Sequence, residues 1–128
     1  MRRTLALVTI LAAGCTSGLK RPPSTFEATQ DAQGVQRVKL DLHSFYFEPN
    51  RIVVHSGQPV EIVLHNRAVI VPHNFTIADT TLAISANKWG FGSKRIRFTP
   101  LRTGEYPFVC HVDGHAKKGM TGTLVVVP

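Results

Sequence analysis

VQRVKLDLHSFYFEPNRIVVHSGQPVEIVLHN, residues 35–66, places apolar side chains at every second position through two of its segments. Val38, Leu40 and Leu42 alternate with charged residues, and residues 60–64 repeat the alternation after a Ser-Gly turn. A period of two is typical of a β-strand with one buried face and one face in water. This stretch therefore predicts several short strands that share one core.

The rest of the chain continues the pattern. Short β-type segments are predicted at residues 71–78, 94–100 and 106–110, and the chain ends on another, TGTLVVVP. Turn residues recur between them, and about seven to eight strands at this spacing predict an all-β fold, a Greek-key β-sandwich or barrel. Residues 79–93, DTTLAISANKWGFGS, lack the alternation, and we expect a loop with a small helix there.

Length and charge exclude several classes of protein. With 128 residues and 43% hydrophobic content, the chain suffices for one globular domain. Removing Arg2 and Arg3 with a targeting segment changes the formal charge from +7 to +5. The remaining basic residues are dispersed and no aromatic-interleaved basic motif occurs, so nucleic-acid binding is not expected. An acidic protein partner or an anionic surface suits this charge better.

The N-terminal residues indicate export. Residues 1–14 are predicted to form a signal peptide, with two arginines before an apolar stretch that is too short to span a bilayer. The sequence AAGC resembles a bacterial lipobox, which predicts a lipid on Cys15 and a protein anchored in the cell envelope, on the periplasmic or extracytoplasmic side. Ordinary cleavage nearby, leaving Cys15 as a free thiol, is the alternative. Residues 15–34 are polar and Pro-rich and predict a flexible tether, followed by the folded domain at residues 35–128.

One run near the C-terminus, CHVDGHAKKGM at residues 110–120, carries candidate metal ligands. Cys110, His115 and Met120 are spaced as C-x4-H-x4-M in a loop between two predicted strands. Zinc accepts cysteine and histidine but rarely a thioether. Two imidazoles, one thiolate and a distant methionine form the ligand set of a blue-copper electron-transfer site. That set needs a second histidine, and His73, at the edge of an earlier strand, is the candidate.

These residues resemble the cupredoxins, the family of small type 1 copper proteins. The resemblance covers residues 35–128 and rests on PHNF at residues 72–75 and on YPFVCHVDGHAKKGM at residues 106–120, whose ligand spacing is most similar to that of rusticyanin. It implies one copper per chain, with His73, Cys110 and His115 as trigonal ligands and Met120 as the axial ligand. It also implies that Asn74 links the two ligand-bearing segments by hydrogen bonds.

Two residues of the loop depart from the family pattern. Asp113 stands where rusticyanin and azurin have proline, and His111 directly follows the cysteine. We expect His111 to face solvent or to support the ligands, while an exchange of roles with His115 stays the alternative.

The function implied is outer-sphere transfer of single electrons between redox proteins by a monomer that is not an enzyme. A copper-binding or copper-delivery protein of the cell envelope is the alternative. The resemblance implies a partly exposed ring edge on His115 for the electron, and Lys117 and Lys118 could favour an acidic partner. Trp89 and Phe91 are expected to pack in the core or against a loop.

Overall fold

The structure is a computed structural model that describes residues 21–128, and it is almost entirely β. Its one helical element in that range is a single 3₁₀ turn, Ala116–Lys118. The strands are β1 (Thr25–Glu27), β2 (Gln36–His43), β3 (Tyr46–Glu48), β4 (Arg51–His55), β5 (Val60–Asn66), β6 (His73–Ile77), β7 (Ile84–Lys88), β8 (Ser93–Phe98), β9 (Gly104–Val109) and β10 (Thr121–Val127).

The ten strands form two sheets. One sheet has six strands in the order β1-β4-β10-β9-β6-β7, and the other has four in the order β3-β2-β5-β8. Neighbours such as β4 and β10 are distant in sequence, and the chain crosses repeatedly between the sheets. The all-β prediction is confirmed, and the number of strands exceeds the predicted seven to eight.

The core lies between the sheets, where their apolar faces meet. The alternation in β2 and β5 is confirmed, because Val38, Leu40 and Leu42 are buried together with the apolar positions of β5. Phe47 from the four-stranded sheet packs edge-on against Phe75 and Phe108 from the six-stranded sheet. Such aromatic contacts add to the hydrophobic gain from burial and fix the two sheets face to face.

Residues 79–93 contain β7, so the expectation of a loop with a small helix is wrong. β7 pairs antiparallel with β6, and Ile84, Ala86 and Lys88 alternate as its buried positions. Alanine and lysine are weak signals of a buried strand face, which explains why the sequence pattern did not reveal it. The three-residue β3 was also not foreseen, since it follows β2 after only two residues.

β1 lies within the segment predicted to be a flexible tether. Residues 25–27 pair in parallel with β4, and the Ala28 amide donates to the Val53 carbonyl at 2.9 Å. Residues 25–28 are therefore ordered against the edge of the six-stranded sheet. The predicted signal peptide and Cys15 lie outside the described residues. Among the described residues, no helix has the length and apolar character needed to span a membrane.

Candidate metal centre

Three neighbouring strands bring the four predicted ligands to one end of the six-stranded sheet. His73 is the first residue of β6, Cys110 directly follows β9, and Met120 directly precedes β10. β9 pairs antiparallel with both β6 and β10, so these strand ends meet. His115 lies in the loop that joins β9 to β10, just before the 3₁₀ turn.

The side chains of His73, Cys110 and His115 form a compact, buried group. Their potential ligand atoms all lie within 4.8 Å of one another, and no other group of three or more His, Cys, Asp or Glu in residues 21–128 is so placed. The Cys110 Sγ is 3.5 Å from the His115 Nδ1. The three residues are at most 6% exposed. Met120, at the end of the loop that carries Cys110 and His115, is fully buried.

Two glycines in the β9–β10 loop allow it to turn tightly enough to gather these residues. Gly114 and Gly119 have φ values of 75° and 100°, a left-handed conformation that costs glycine little. The first precedes His115 and the second, the C-cap of the 3₁₀ turn, precedes Met120. The conformation of the loop between the ligands therefore favours glycine at both positions.

Backbone hydrogen bonds close the loop on itself. The Met120 amide donates to the His115 carbonyl at 3.1 Å, and the Cys110 amide donates to the Met120 carbonyl at 3.1 Å. These bonds hold the three residues of the loop in fixed relative positions without depending on a bound ion.

Burial keeps both imidazoles neutral at physiological pH. Loss of hydration, reinforced by the proximity of His115, lowers the pKa of His73 from 6.5 to about 4. The pKa of His115 is also lowered, first by burial and then by the positive charge of Lys118. A neutral imidazole has the free lone pair that a metal ligand needs.

Asn74 joins the two segments that carry the candidate ligands. Its side-chain Oδ1 accepts a hydrogen bond from the backbone N–H of His111 at 2.7 Å, and its own backbone N–H points to the Cys110 Sγ at 3.4 Å. Such contacts orient ligands and tune a metal's redox potential. The sequence had suggested this link through the resemblance.

Phe45 covers His115, which is less exposed than the sequence led us to expect. The two rings meet edge to face with centroids 4.9 Å apart, and the Lys118 ammonium lies 3.8 Å from the Phe45 ring centroid. His115 retains 6% of its surface. Phe45 adopts a φ of 70° in the turn between β2 and β3. This left-handed conformation is uncommon for phenylalanine, so the sequence did not predict it.

The two departures from the family pattern lie on the surface. His111 and Asp113 are both exposed, and the imidazole of His111 is not part of the buried group. Lys117 and Lys118 lie in the exposed 3₁₀ turn next to His115. These residues therefore form part of the solvent-exposed surface of the loop that carries Cys110 and His115.

The buried group fits a copper ion. Both ring nitrogens of His73 are buried without a hydrogen-bond partner among the described residues, which would be costly for a residue with no ligand. Metal–sulfur and metal–nitrogen bonds are about 2.3 and 2.0 Å long. If they meet at a tetrahedral to trigonal angle, the sulfur and the nitrogen lie about 3.5–3.7 Å apart. The Cys110 Sγ and the His115 Nδ1 are separated by a similar distance, 3.5 Å. Thiolate with two imidazoles and a methionine nearby is a donor set suited to copper.

Comparisons with known proteins agree with this fold. A family model described as a cupredoxin-like domain matches residues 5–126. No curated protein matches the sequence.

Several solved structures share the fold at low sequence identity. The reduced auracyanin of Roseiflexus castenholzii is 20% identical, with a TM-score of 0.66, covering 79% of this chain and 99% of that one. Reduced rusticyanin is 20% identical, with a TM-score of 0.62 and coverage of 84% and 87%. The metal-binding domain of a Cu(I)-exporting P-type ATPase from Streptococcus pneumoniae is 21% identical, with a TM-score of 0.64 and coverage of 84% and 100%.

Proposed function

This chain belongs to the cupredoxin-like family, and on that premise we propose that it is a mononuclear type 1 copper protein that carries single electrons between redox proteins. The observation that carries the proposal is the buried group of His73, Cys110 and His115, with ligand atoms within 4.8 Å of one another and Met120 buried next to it. Copper and the cupredoxin fold are supported by the family and by the blue copper proteins among the structural neighbours.

Each residue has a distinct part in this function. His73, Cys110 and His115 would hold the ion, and the thioether of Met120 would be a weaker ligand. Bound copper supplies a Cu(II)/Cu(I) couple that accepts and releases one electron. The backbone bonds of the loop and Asn74 hold the ligands in one geometry in both oxidation states, so little rearrangement opposes the transfer. No bond in a substrate is made or broken, and we propose no enzymatic activity.

The path for the electron is proposed to pass through His115 and its surroundings. His115 is the ligand nearest the loop surface, and Phe45 packs on its ring edge. A partner docked there would meet the exposed Lys117 and Lys118, which favours a partner with acidic residues and faster association at low salt. A redox protein is therefore the proposed kind of partner.

Copper binding or delivery without electron transfer is the second candidate function. The likeness to the metal-binding domain of a Cu(I)-exporting ATPase favours it, since that domain has the same fold and handles copper. The electron carrier is preferred because Phe45 covers His115 and the candidate ligands themselves are buried, whereas delivery requires ligands that a receiving protein can reach.

Spectroscopy of the copper-loaded protein tests the ligand set. We expect an intense blue absorption band and a type 1 EPR spectrum, both lost in Cys110→Ser and changed or lost in His115→Ala. His111→Ala is the matched control, an exposed histidine in the same loop, and should keep both signals. A Cys110→Ser protein that stays intensely blue would refute the assignment, and loss in His111→Ala alone would favour the exchanged histidine roles.

Reversible voltammetry separates the two functions. A carrier should cycle between oxidised and reduced forms by one electron without losing copper. A colourless Cu(I) protein that releases its ion readily to a chelator would instead establish copper delivery.

The cellular location follows from the predicted lipobox. We propose that the mature protein is held at the extracytoplasmic face of a membrane by a lipid on Cys15. Metabolic labelling with a radioactive fatty acid tests this, since Cys15→Ala should abolish incorporation and release the protein from the membrane fraction.

A further inference from the structure

Two neighbouring loops at the metal end of the sandwich expose large apolar side chains. Trp89 and Phe91, between β7 and β8, are 73% and 86% exposed, so the expectation that they pack in the core or against a loop is wrong. Ile70, between β5 and β6, is 88% exposed. The loops adjoin each other, because His73 pairs with Lys88 across β6 and β7 and because Val69 and Phe91 line the same surface depression. We name Ile70, Trp89 and Phe91 the apolar tip.

The apolar tip is anchored from inside by Lys88. The Lys88 ammonium is buried and donates hydrogen bonds to the carbonyls of Trp89, Gly90 and Phe91 at 2.8, 2.9 and 2.9 Å. Three backbone acceptors that would otherwise depend on water are thus satisfied within the protein. A loop fixed in this way loses little conformational freedom when it binds.

The chain around the apolar tip is basic and contains no acidic residue. Neither residues 67–72 nor residues 89–98 include Asp or Glu, whereas Arg67, Lys94, Arg95 and Arg97 lie within them. All four basic residues are exposed to solvent. Arg67 pairs with Asp41, and Arg95 and Arg97 share the carboxylate of Glu61, so positive charge remains in excess. Exposed aromatic residues flanked by cations are complementary to a surface with anionic head groups above an apolar phase.

We infer that the apolar tip inserts into an anionic phospholipid bilayer. The side chains of the tip are at least 73% exposed, and tryptophan is favoured at the interface between head groups and acyl chains. The hydrogen bonds from Lys88 suit the loop to lipid. A protein partner can supply donors to exposed carbonyls, whereas the acyl region of a bilayer supplies none and requires that they be satisfied internally. Insertion would bring the metal end of the sandwich close to the membrane.

The full-length protein carries its own reporter, since Trp89 is the chain's one tryptophan. We expect its fluorescence to shift to shorter wavelength with vesicles of equal parts phosphatidylglycerol and phosphatidylcholine, and much less with phosphatidylcholine alone. Brominated acyl chains should quench the emission, and aqueous iodide should no longer do so. An anchor at the N-terminus that left Trp89 in water would produce none of these changes, so lipidation does not confuse the result.

Variants that retain Trp89 measure the contribution of its neighbours. Phe91→Ser should weaken partition into the anionic vesicles about tenfold, the factor expected when one phenyl ring is removed from the apolar contact. Ile70→Ser should act in the same direction. Leu101→Ser is the matched control, because Leu101 is 80% exposed in the loop between β8 and β9, at the opposite end of the sandwich. Equal thermal unfolding of all variants verifies that they fold.

Three results would overturn the inference. Unchanged Trp89 emission on vesicles that retain the protein would place the tip in water. An equal loss of partition in Leu101→Ser and Phe91→Ser would mean non-specific adhesion. Slower reduction of Phe91→Ser by a redox protein, with no response to vesicles, would assign the tip to protein docking. The metal-free protein should bind vesicles as well as the copper-loaded protein does. A failure to bind vesicles would therefore refute the membrane inference without contradicting the proposed electron transfer.

Discussion

The Oδ1 of Asn74 accepts the backbone N–H of His111 at 2.7 Å, and this bond fastens the start of β6 to the loop that follows β9. Each of the two joined segments carries a candidate ligand, His73 on one side and Cys110 on the other. The same residue also directs its backbone N–H at the Cys110 sulfur, 3.4 Å away. A donor on a thiolate withdraws electron density from it and so favours the reduced form of a metal that it binds.

Asn74→Ala is therefore expected to lower the reduction potential. The variant loses the side-chain bond and no longer holds the backbone N–H against the sulfur. Loss of about one hydrogen bond, about 1 kcal/mol, corresponds to roughly 40 mV for one electron. Voltammetry of the copper-loaded protein measures the shift. Asn87→Ala, which changes the exposed residue paired with Asn74 on β7, serves as control and should leave the potential in place.

Met120→Gln tests the axial position. The amide oxygen is a harder ligand than the thioether and favours Cu(II) over Cu(I). We expect the blue band to persist and the reduction potential to fall, whereas Cys110→Ser abolishes the band. Met120→Leu removes the ligand atom but keeps an apolar side chain in this fully buried position, and its potential should rise. Equal potentials in the two variants would exclude Met120 from the metal's surroundings.

Phe45→Gly should expose His115 to water. Glycine accepts the φ of 70° without strain, so the backbone of the turn is preserved while the covering ring is removed. Water next to the site stabilises the more highly charged Cu(II) state, and the potential should fall. Phe45→Leu keeps an apolar cover and should retain most of the wild-type potential. If both variants match the wild type in voltammetry, the ring does not shield the site.

The candidate ligands were predictable because their residue types have few other uses in this setting. Cys110 is the one cysteine of residues 21–128. In its loop, four residues separate Cys110 from His115, and four separate His115 from Met120. The strands that carry them were predictable where strongly apolar residues alternate, as in β2 and β5. The position of His73 next to this loop depends on the order of the strands in the sheet. A local sequence pattern does not reveal that order.

The surroundings of the site were not predictable for reasons that are also physical. Phe45 covers His115 only because it adopts a left-handed conformation in which glycine would be expected. Trp89 and Phe91 have side chains that are most often buried. The loop that exposes them is bonded by Lys88 through backbone carbonyls, and a sequence pattern does not reveal such an interaction. Sequence patterns record burial preferences and do not record such exceptions.

Gly122→Ala is expected to destabilise the whole domain. A Cβ at this position of β10 would lie 2.3 Å from ring atoms of Phe108 and 2.6 Å from the Asn50 carbonyl oxygen. Phe108 is fixed between Phe47 and Phe75 and cannot move aside cheaply. We expect the free energy of unfolding to fall by about 3 kcal/mol, as for overpacked cores. Denaturant unfolding measures it, and Thr121→Ala, an exposed change in the same strand, should cost far less.

The metal-free protein should lose stability as the pH falls from about 6.5 to about 4. Burial lowers the pKa of His73 from 6.5 to about 4, so within this window the unfolded chain binds a proton that the folded chain does not. Stability is therefore complete above pH 6.5 and declines below it, by about 3 kcal/mol at pH 4. The lowered pKa of His115 acts in the same direction.

Urea unfolding of the metal-free protein at pH 7 and pH 4.5 measures this loss. His73→Asn removes the buried imidazole and should make the difference between the two pH values clearly smaller than in the wild type. His55→Asn, an exposed histidine at the far end of β4, should leave the difference unchanged. A His73→Asn protein with the full wild-type loss would mean that acid destabilisation arises from other groups, such as the carboxylates of Asp31, Glu61 and Asp79, whose pKa values are lowered by hydrogen bonds.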